Sequence, residues 1–206
     1  MTTPLRADAA RNRERLLAIA RAAMTEGDLA LQLNDIARRA KVGVGTVYRH
    51  FPTRRALVEA LADGAFATLV DEARAASRHD DVWTGVEILL RALLLRQVAD
   101  PAFAEVISTG PDQDATATTT EHREQWSAAA RVVLERARQA GVLRPGLTDD
   151  DLHHLVCGTA FALRIGDEPT LRIDRYLRVL LDGIHAAERN GVNSGTAGLQ
   201  ARRARS

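Results

Sequence analysis

A single cysteine, Cys157, stands among the 206 residues, so an intrachain disulfide is excluded and the chain reads as cytoplasmic. Long apolar runs are also missing. The longest, "ILLRALLL", is interrupted by Arg91, which leaves nothing of membrane-spanning length. The N-terminus "MTTPLRADAARNRERLL" has no apolar core of a signal peptide. Lysine is nearly absent, since 28 basic residues include only Lys41. Only eight side chains are Phe, Trp or Tyr, so alanine and leucine must fill most of any interior, leaving space for a ligand. No period-two alternation marks a strand, and no repeat is found.

What remains is a chain with 46% hydrophobic and 27% charged residues, as expected of a globular protein. Its net charge of +1 is unevenly distributed. Residues 1–55 carry 11 Arg or Lys against 5 Asp or Glu, while residues 56–206 carry 17 against 22. A basic quarter on an acidic body is an electrostatic footprint suited to nucleic acid, with a solvated charged surface as the alternative.

Apolar periodicity predicts an all-α fold of about nine helices. Leu16, Ile19, Ala20, Ala23 and Met24 mark the first, stopped at Gly27. Ile36, Ala37 and Ala40 mark a short second helix. A third runs from Val44 to about His50, and Pro52 ends it. Thr53 caps a fourth, striped by Leu57, Leu61, Phe66, Leu69 and Ala73. Val82–Ala99 is a core helix, followed by one from Pro101 to about Ser108. "TGPDQDATATTT" reads as a polar loop, and Glu121–Ala140 as a helix ending at Gly141. Thr148 caps the next, which runs to about Ile165, and the last spans about 173–188. Residues 190–206 read as a disordered tail.

The second and third helices, joined through "KVGVG", form a helix-turn-helix whose second member suits the DNA major groove, about 12 Å wide. Gly43 and Gly45 permit close backbone approach. Thr46, Tyr48 and His50 offer groups to phosphate oxygens, and Val44 and Val47 are expected outward, one of them against a thymine methyl. Arg49, Arg54 and Arg55 add charge, with Thr53 and Arg54 at a helix N-terminus. Arg6, Arg11 and Arg13 are candidates for an N-terminal arm over residues 1–10 and just beyond, with disorder in solvent as the alternative.

The stretch "LNDIARRAKVGVGTVYRHFPTRRALVEAL" resembles the DNA-binding region of the tetracycline-repressor (TetR) family of bacterial transcriptional regulators. Ile36, Ala37, Ala40, Val42, Gly45, Thr46, Tyr48, His50, Phe51 and Leu57 match the family pattern, with Arg54 at its usual lysine. Lys41 stands at a usual glycine, which calls for a left-handed non-glycine residue. Gly43 replaces the usual capping serine or threonine of the third helix, and Gln32 a common capping threonine.

The resemblance implies a DNA-binding domain over 1–55 and a ligand-binding and dimerisation domain over 56–189. It implies a homodimer through the last two helices, about 148–165 and 173–188, bound to palindromic double-stranded operator DNA. A small-molecule effector releases it, so repression is the expected mode, with no cofactor and no catalysis. Candidate pocket residues are Phe66, Trp83, Leu90, Arg91, Leu94, Phe103, Trp126, Ala130, Val133 and Phe161, with core packing as the alternative for each aromatic and an ion pair for Arg91. His153 and Cys157 have metal-ligand spacing, but no second cluster completes four ligands, so no metal is assigned. A DNA-binding regulator without an effector is the first alternative. A helical enzyme is the second, disfavoured because "GVGT" lacks the lysine of a phosphate loop and no catalytic motif surrounds a serine.

Overall fold

Nine α-helices and one 3₁₀ turn make up the described part of the protein, residues 4–165 and 169–186 of a computed structural model. They are α1 (Pro4–Thr25), α2 (Leu33–Ala40), α3 (Val44–His50), α4 (Arg54–Ser77), α5 (Val82–Ala99), α6 (Pro101–Ile107), α7 (Ala117–Gln139), α8 (Asp149–Arg164) and α9 (Pro169–Ile184), with the 3₁₀ turn at Pro111–Gln113.

Local chemistry sets most of the boundaries. Thr53, Asp81, Asp100, Thr116 and Thr148 sit before α4, α5, α6, α7 and α8, and each side chain accepts a backbone N–H of the first turn. Thr148 and Asp151 complete a reciprocal capping box, and the burst of Asp149, Asp150 and Asp151 suits the positive end of the α8 dipole. Gly27 and Gly141 end α1 and α7 at φ of +91° and +69°, values at which a side chain would be strained.

Packing is organised around α4. It contacts α1, α5, α6 and α7. Phe66 and Phe103 meet edge to face at 5.0 Å in this shared interior. The backbones of α4 and α5 approach so closely that a Cβ built on Gly85 would lie 2.8 Å from the Ala76 carbonyl oxygen. A continuous apolar core runs from Leu16 and Ile36 through Leu57 and Leu69 to Leu163 and Ile184.

Four boundaries differ from those the sequence suggests, one being the start of the last helix at Pro169 instead of about 173. The first helix includes residues 4–10, where an arm was expected. The seventh begins at Ala117, four residues before Glu121, because Thr116 caps it. The last ends at Ile184: His185 pairs with Leu143 in an isolated antiparallel bridge, with the Arg144 amide donating to the Ile184 carbonyl at 2.8 Å. Positions 187–188 and the expected tail 190–206 lie outside the described residues. Among those described, no helix is long and apolar enough to cross a membrane.

Candidate functional site

The turn between α2 and α3 is built by a non-glycine residue in the left-handed region. Lys41 has φ of 53° and ψ of 42°, as its replacement of a glycine requires. The Val42 amide then closes onto the Ala37 carbonyl at 3.1 Å, and extended Gly43 starts α3. Gln32 and Gly43 both precede their helices without a side-chain cap.

Helical periodicity divides α3 into two faces. Val47 is fully buried beside the apolar residues of α2, which corrects its expected outward position: a seven-residue helix needs an anchor in the core. Gly43, Val44, Gly45, Tyr48 and Arg49 lie exposed, and Lys41 is exposed beside them in the turn. Val44 and Tyr48 are 44% and 47% exposed, unusual for side chains of their kind and without cover from the rest of the described chain. Thr46 and His50 are half-buried. The His50 ring lies 6.3 Å from that of Phe51 and borders a cavity of about 220 Å³ between α1, α3, α4 and the start of α7. Arg13 also borders it, its guanidinium 5.4 Å from the Phe51 ring centre, so this arginine is drawn to the junction. Thr53 is exposed, and its hydroxyl oxygen accepts from the Ala56 amide at 3.0 Å.

Arg54, expected at the phosphates, is bonded within the chain. Its guanidinium grips both Glu105 carboxylate oxygens at 2.6 and 2.8 Å and donates to the Leu29 and Ala30 carbonyls at 2.6 and 2.8 Å. One side chain thus ties the loop before α2, the start of α4 and α6 into a unit, and the Glu105 bond holds its pKa above the usual arginine value.

Arg55 is likewise turned inward. It donates to Glu59 at 2.7 Å, to Thr109 at 2.9 Å and to Asp114 at 3.3 Å, and Asp114 is gripped from its other side by Arg123 at 2.8 and 3.0 Å. The Glu59 and Asp114 side chains are 0% and 1% exposed. Burial pushes the Glu59 carboxyl upward, but the Ala115 amide, Arg55, Thr116 and Thr119 together hold it below the ordinary value. Two acids and two arginines form a paired, internally neutral chain from the first turn of α4 to α7. The sequence carried a signal: Glu59 falls within the apolar stripe of α4, four residues after Arg55.

Arg123 is also part of the wall of a cavity of about 390 Å³ enclosed by α5, α7, α8 and the segment 107–111. Leu89, Leu90, Leu93, Ile107, Trp126, Ala130, Leu134 and Leu152 supply its apolar lining, while Arg131, Asp150 and His154 are exposed members of it. Of the pocket candidates, Leu90, Trp126 and Ala130 meet here. Phe66, Phe103, Leu94 and Val133 are core instead. Trp83 packs on His185 at 4.4 Å, and Phe161 is 61% exposed. Arg91 is ion-paired with Asp174 and Glu87 on a half-exposed face of α5, which satisfies its charge without a ligand.

His153 also lines the cavity, and its ring Nε2 lies 3.6 Å from the Cys157 Sγ. Burial, with His154 and Arg123 nearby, pushes this imidazole below its ordinary pKa, and burial raises the thiol. Among the described residues, no group of three His, Cys, Asp or Glu could hold a metal ion. The outer faces of α8 and α9 form a groove lined by Leu155, Gly158, Ala162, Tyr176, Val179 and Gly183. Leu155, Phe161, Ile165, Leu171 and Val179 stand more than two-fifths exposed on these helices and the residue that ends α8.

Residues 16–61 match the family model described as bacterial regulatory proteins, tetR family. Residues 84–186 match that of the SbtR-like transcriptional regulator C-terminal domain. Among solved structures, the chain is 26% identical to a TetR transcriptional regulator of Streptomyces coelicolor, covering 85% of this chain and 99% of that one at a TM-score of 0.53. It shares its fold with the TetR-family regulator PfmR of Thermus thermophilus (20% identity, 89% and 98% covered, TM-score 0.59). The fatty acid degradation regulator FadR of Bacillus halodurans is similar (20% identity, 83% and 98% covered, TM-score 0.54). No curated protein sequence matches.

Proposed function

The chain belongs to the TetR family of bacterial transcriptional regulators, and we propose that it acts as a homodimeric repressor released from a palindromic operator by a small molecule. The observation that carries this reading is the outward face of α3. Val44, Gly45, Tyr48 and Arg49 share one side of a short helix whose opposite side is anchored by buried Val47. Such a helix presents base-reading and phosphate-binding groups on a rigid support. In this assignment Gly43 and Gly45 allow close approach, Val44 meets base edges, and Tyr48, Arg49, Lys41 and Thr46 hold the backbone. Thr53 presents the α4 N-terminus, and His50 buttresses the helix from behind.

The second copy of the chain is assigned to the groove of α8 and α9. Gly158 and Gly183 support this. Gly158 sits mid-helix, where glycine costs about 1 kcal/mol relative to alanine, and Gly183 sits in the last turn of α9, yet a Cβ at either would meet nothing among the described residues within 4 Å. Close approach of another helix supplies the missing reason. Twofold pairing places two α3 helices on one face of DNA, with half-sites about 10 base pairs apart or a multiple of that.

The cavity lined by Trp126 is the effector site in this reading. Arg54–Glu105 and the chain Arg55–Asp114–Arg123 run from its surroundings to the base of the helix-turn-helix. An effector that prefers one arrangement of these contacts shifts the separation of the two α3 helices, and that preference is its entire leverage. Selection from a random DNA pool by the purified protein tests the assignment: a palindromic motif supports it. Recovery of only unrelated fragments, held weakly and lost near physiological salt, overturns it.

A further inference from the structure

The cavity behind Trp126 has one buried cation in its wall, and the bonding of that cation is incomplete. Arg123 is 9% exposed as a residue. Its Nε donates to Asp114 Oδ2 at 3.0 Å, and its Nη2 donates to Asp114 Oδ1 at 2.8 Å and to the Val106 carbonyl at 2.9 Å. Nη1, with two further N–H groups, makes no hydrogen bond among the described residues. A guanidinium is charged at every physiological pH and carries five donors, so Nη1 is the part of it left to an incoming acceptor.

Of the other polar groups of the wall, several are engaged within the chain, while Ser127, Arg131 and His154 are exposed. The Thr109 hydroxyl donates to the Val106 carbonyl and accepts from Arg55, and the Ser108 hydroxyl donates to the Ala104 carbonyl. Asp149 is paired with Arg138, and Asp150 is exposed. The rest of the lining is mainly leucine, isoleucine, Ala130 and the Trp126 ring, with the half-buried His153 beside them.

We propose that this cavity takes a small amphipathic monocarboxylate, its carboxylate accepting from Arg123 Nη1 and its apolar body lying against Trp126, Leu90 and Leu134. The assignment rests on the reading of the cavity as an effector site and names the chemistry of the effector. Two features restrict the class. The volume of about 390 Å³ holds a body of medium size and not a nucleotide-bearing conjugate. Arg123 is already paired with Asp114, so what a ligand adds is a charge-assisted hydrogen bond at Nη1, which a carboxylate makes more strongly than a neutral acceptor. The ligand carboxylate would then share the guanidinium with Asp114, so occupancy acts directly on the carboxylate that holds Arg55 at the start of α4.

The test uses the full-length protein with Trp83→Phe, so that Trp126 is the sole tryptophan reporter, and three probes of one chain length. These are octanoate, methyl octanoate and octylamine, titrated at pH 7.5 by fluorescence and checked by calorimetry. Octanoate is expected to bind at least roughly tenfold more tightly than the ester or the amine, the worth of one hydrogen bond to a charged group. Arg123→Gln is expected to abolish that preference. Ala130→Phe, which fills the cavity from α7, is expected to abolish binding of all three. Ester or amine binding as tight as octanoate overturns the inference and leaves the effector site standing. Failure of all three probes to bind removes the effector site and the inference together. An octanoate preference that survives Ala130→Phe places the carboxylate elsewhere and also overturns it. The probe comparison needs no change in the cavity wall, so it decides the matter even if Arg123→Gln does not fold.

Discussion

Lys41 holds a backbone conformation that glycine adopts without steric cost. The left-handed region costs a side-chain-bearing residue about 1–2 kcal/mol. Glycine would return about 0.4–1 kcal/mol of that through a freer unfolded chain. Lys41→Gly is therefore expected to stabilise the protein by roughly 0.5–1 kcal/mol in urea denaturation. If the Lys41 ammonium meets a phosphate, the same change weakens DNA binding and lowers the salt slope by about one per subunit. Gain of stability with an unchanged slope would remove Lys41 from the interface. Glu59 gives a second prediction at this scale. Removing one member of a buried charged network costs about 3–5 kcal/mol, so Glu59→Gln should be strongly destabilising at neutral pH. The Glu59 carboxyl is held below its ordinary value, so its contribution is complete above the ordinary carboxylate range and is lost as pH falls through the folded value. The gap between wild type and Glu59→Gln in thermal denaturation should therefore close as pH drops below about 4. A gap that is constant down to pH 3 would contradict the pairing.

At the scale of elements, the contact between α4 and α5 depends on Gly85. A methyl group there meets the Ala76 carbonyl oxygen, a backbone atom that cannot turn aside. Gly85→Ala is expected to destabilise by about 1–3 kcal/mol despite the better helix propensity of alanine, a loss measurable as a lower Tm. Helix starts and stops were legible in the sequence wherever the cap was local, as at Thr53, Pro101, Thr148 and Gly141. Thr116 was not, because it lies in a run of threonine and alanine that resembles a loop. The end of α9 was not legible either, since it depends on Leu143, far away in sequence. The site follows the same division. On α3 the exposure of Val44 was legible, but Val47, expected outward with it, is buried as the helix's anchor. Arg54 and Arg55 looked like phosphate ligands because their partners Glu105 and Asp114 lie 51 and 59 residues further on. Only the fold reveals that both are already engaged.

For the whole molecule, the proposed dimer is assigned to the exposed apolar surface of α8 and α9. Val179 is 69% exposed on the groove between them. Val179→Glu should convert a dimer to a monomer in light scattering, with the helical content intact, since the side chain has little to support within its own chain. A monomer should also lose operator affinity steeply, because each half-site alone offers about half the contacts. The most direct test of the central claim, that the exposed face of α3 reads DNA, is fluorescence anisotropy with the selected duplex and a scrambled one at several salt concentrations. The wild type and a Tyr48→Ala/Arg49→Ala variant are compared. The wild type should favour its selected duplex by at least about a thousandfold near physiological salt, and the variant should lose most of that preference while keeping its circular dichroism. Unchanged affinity and specificity in the variant would contradict the account.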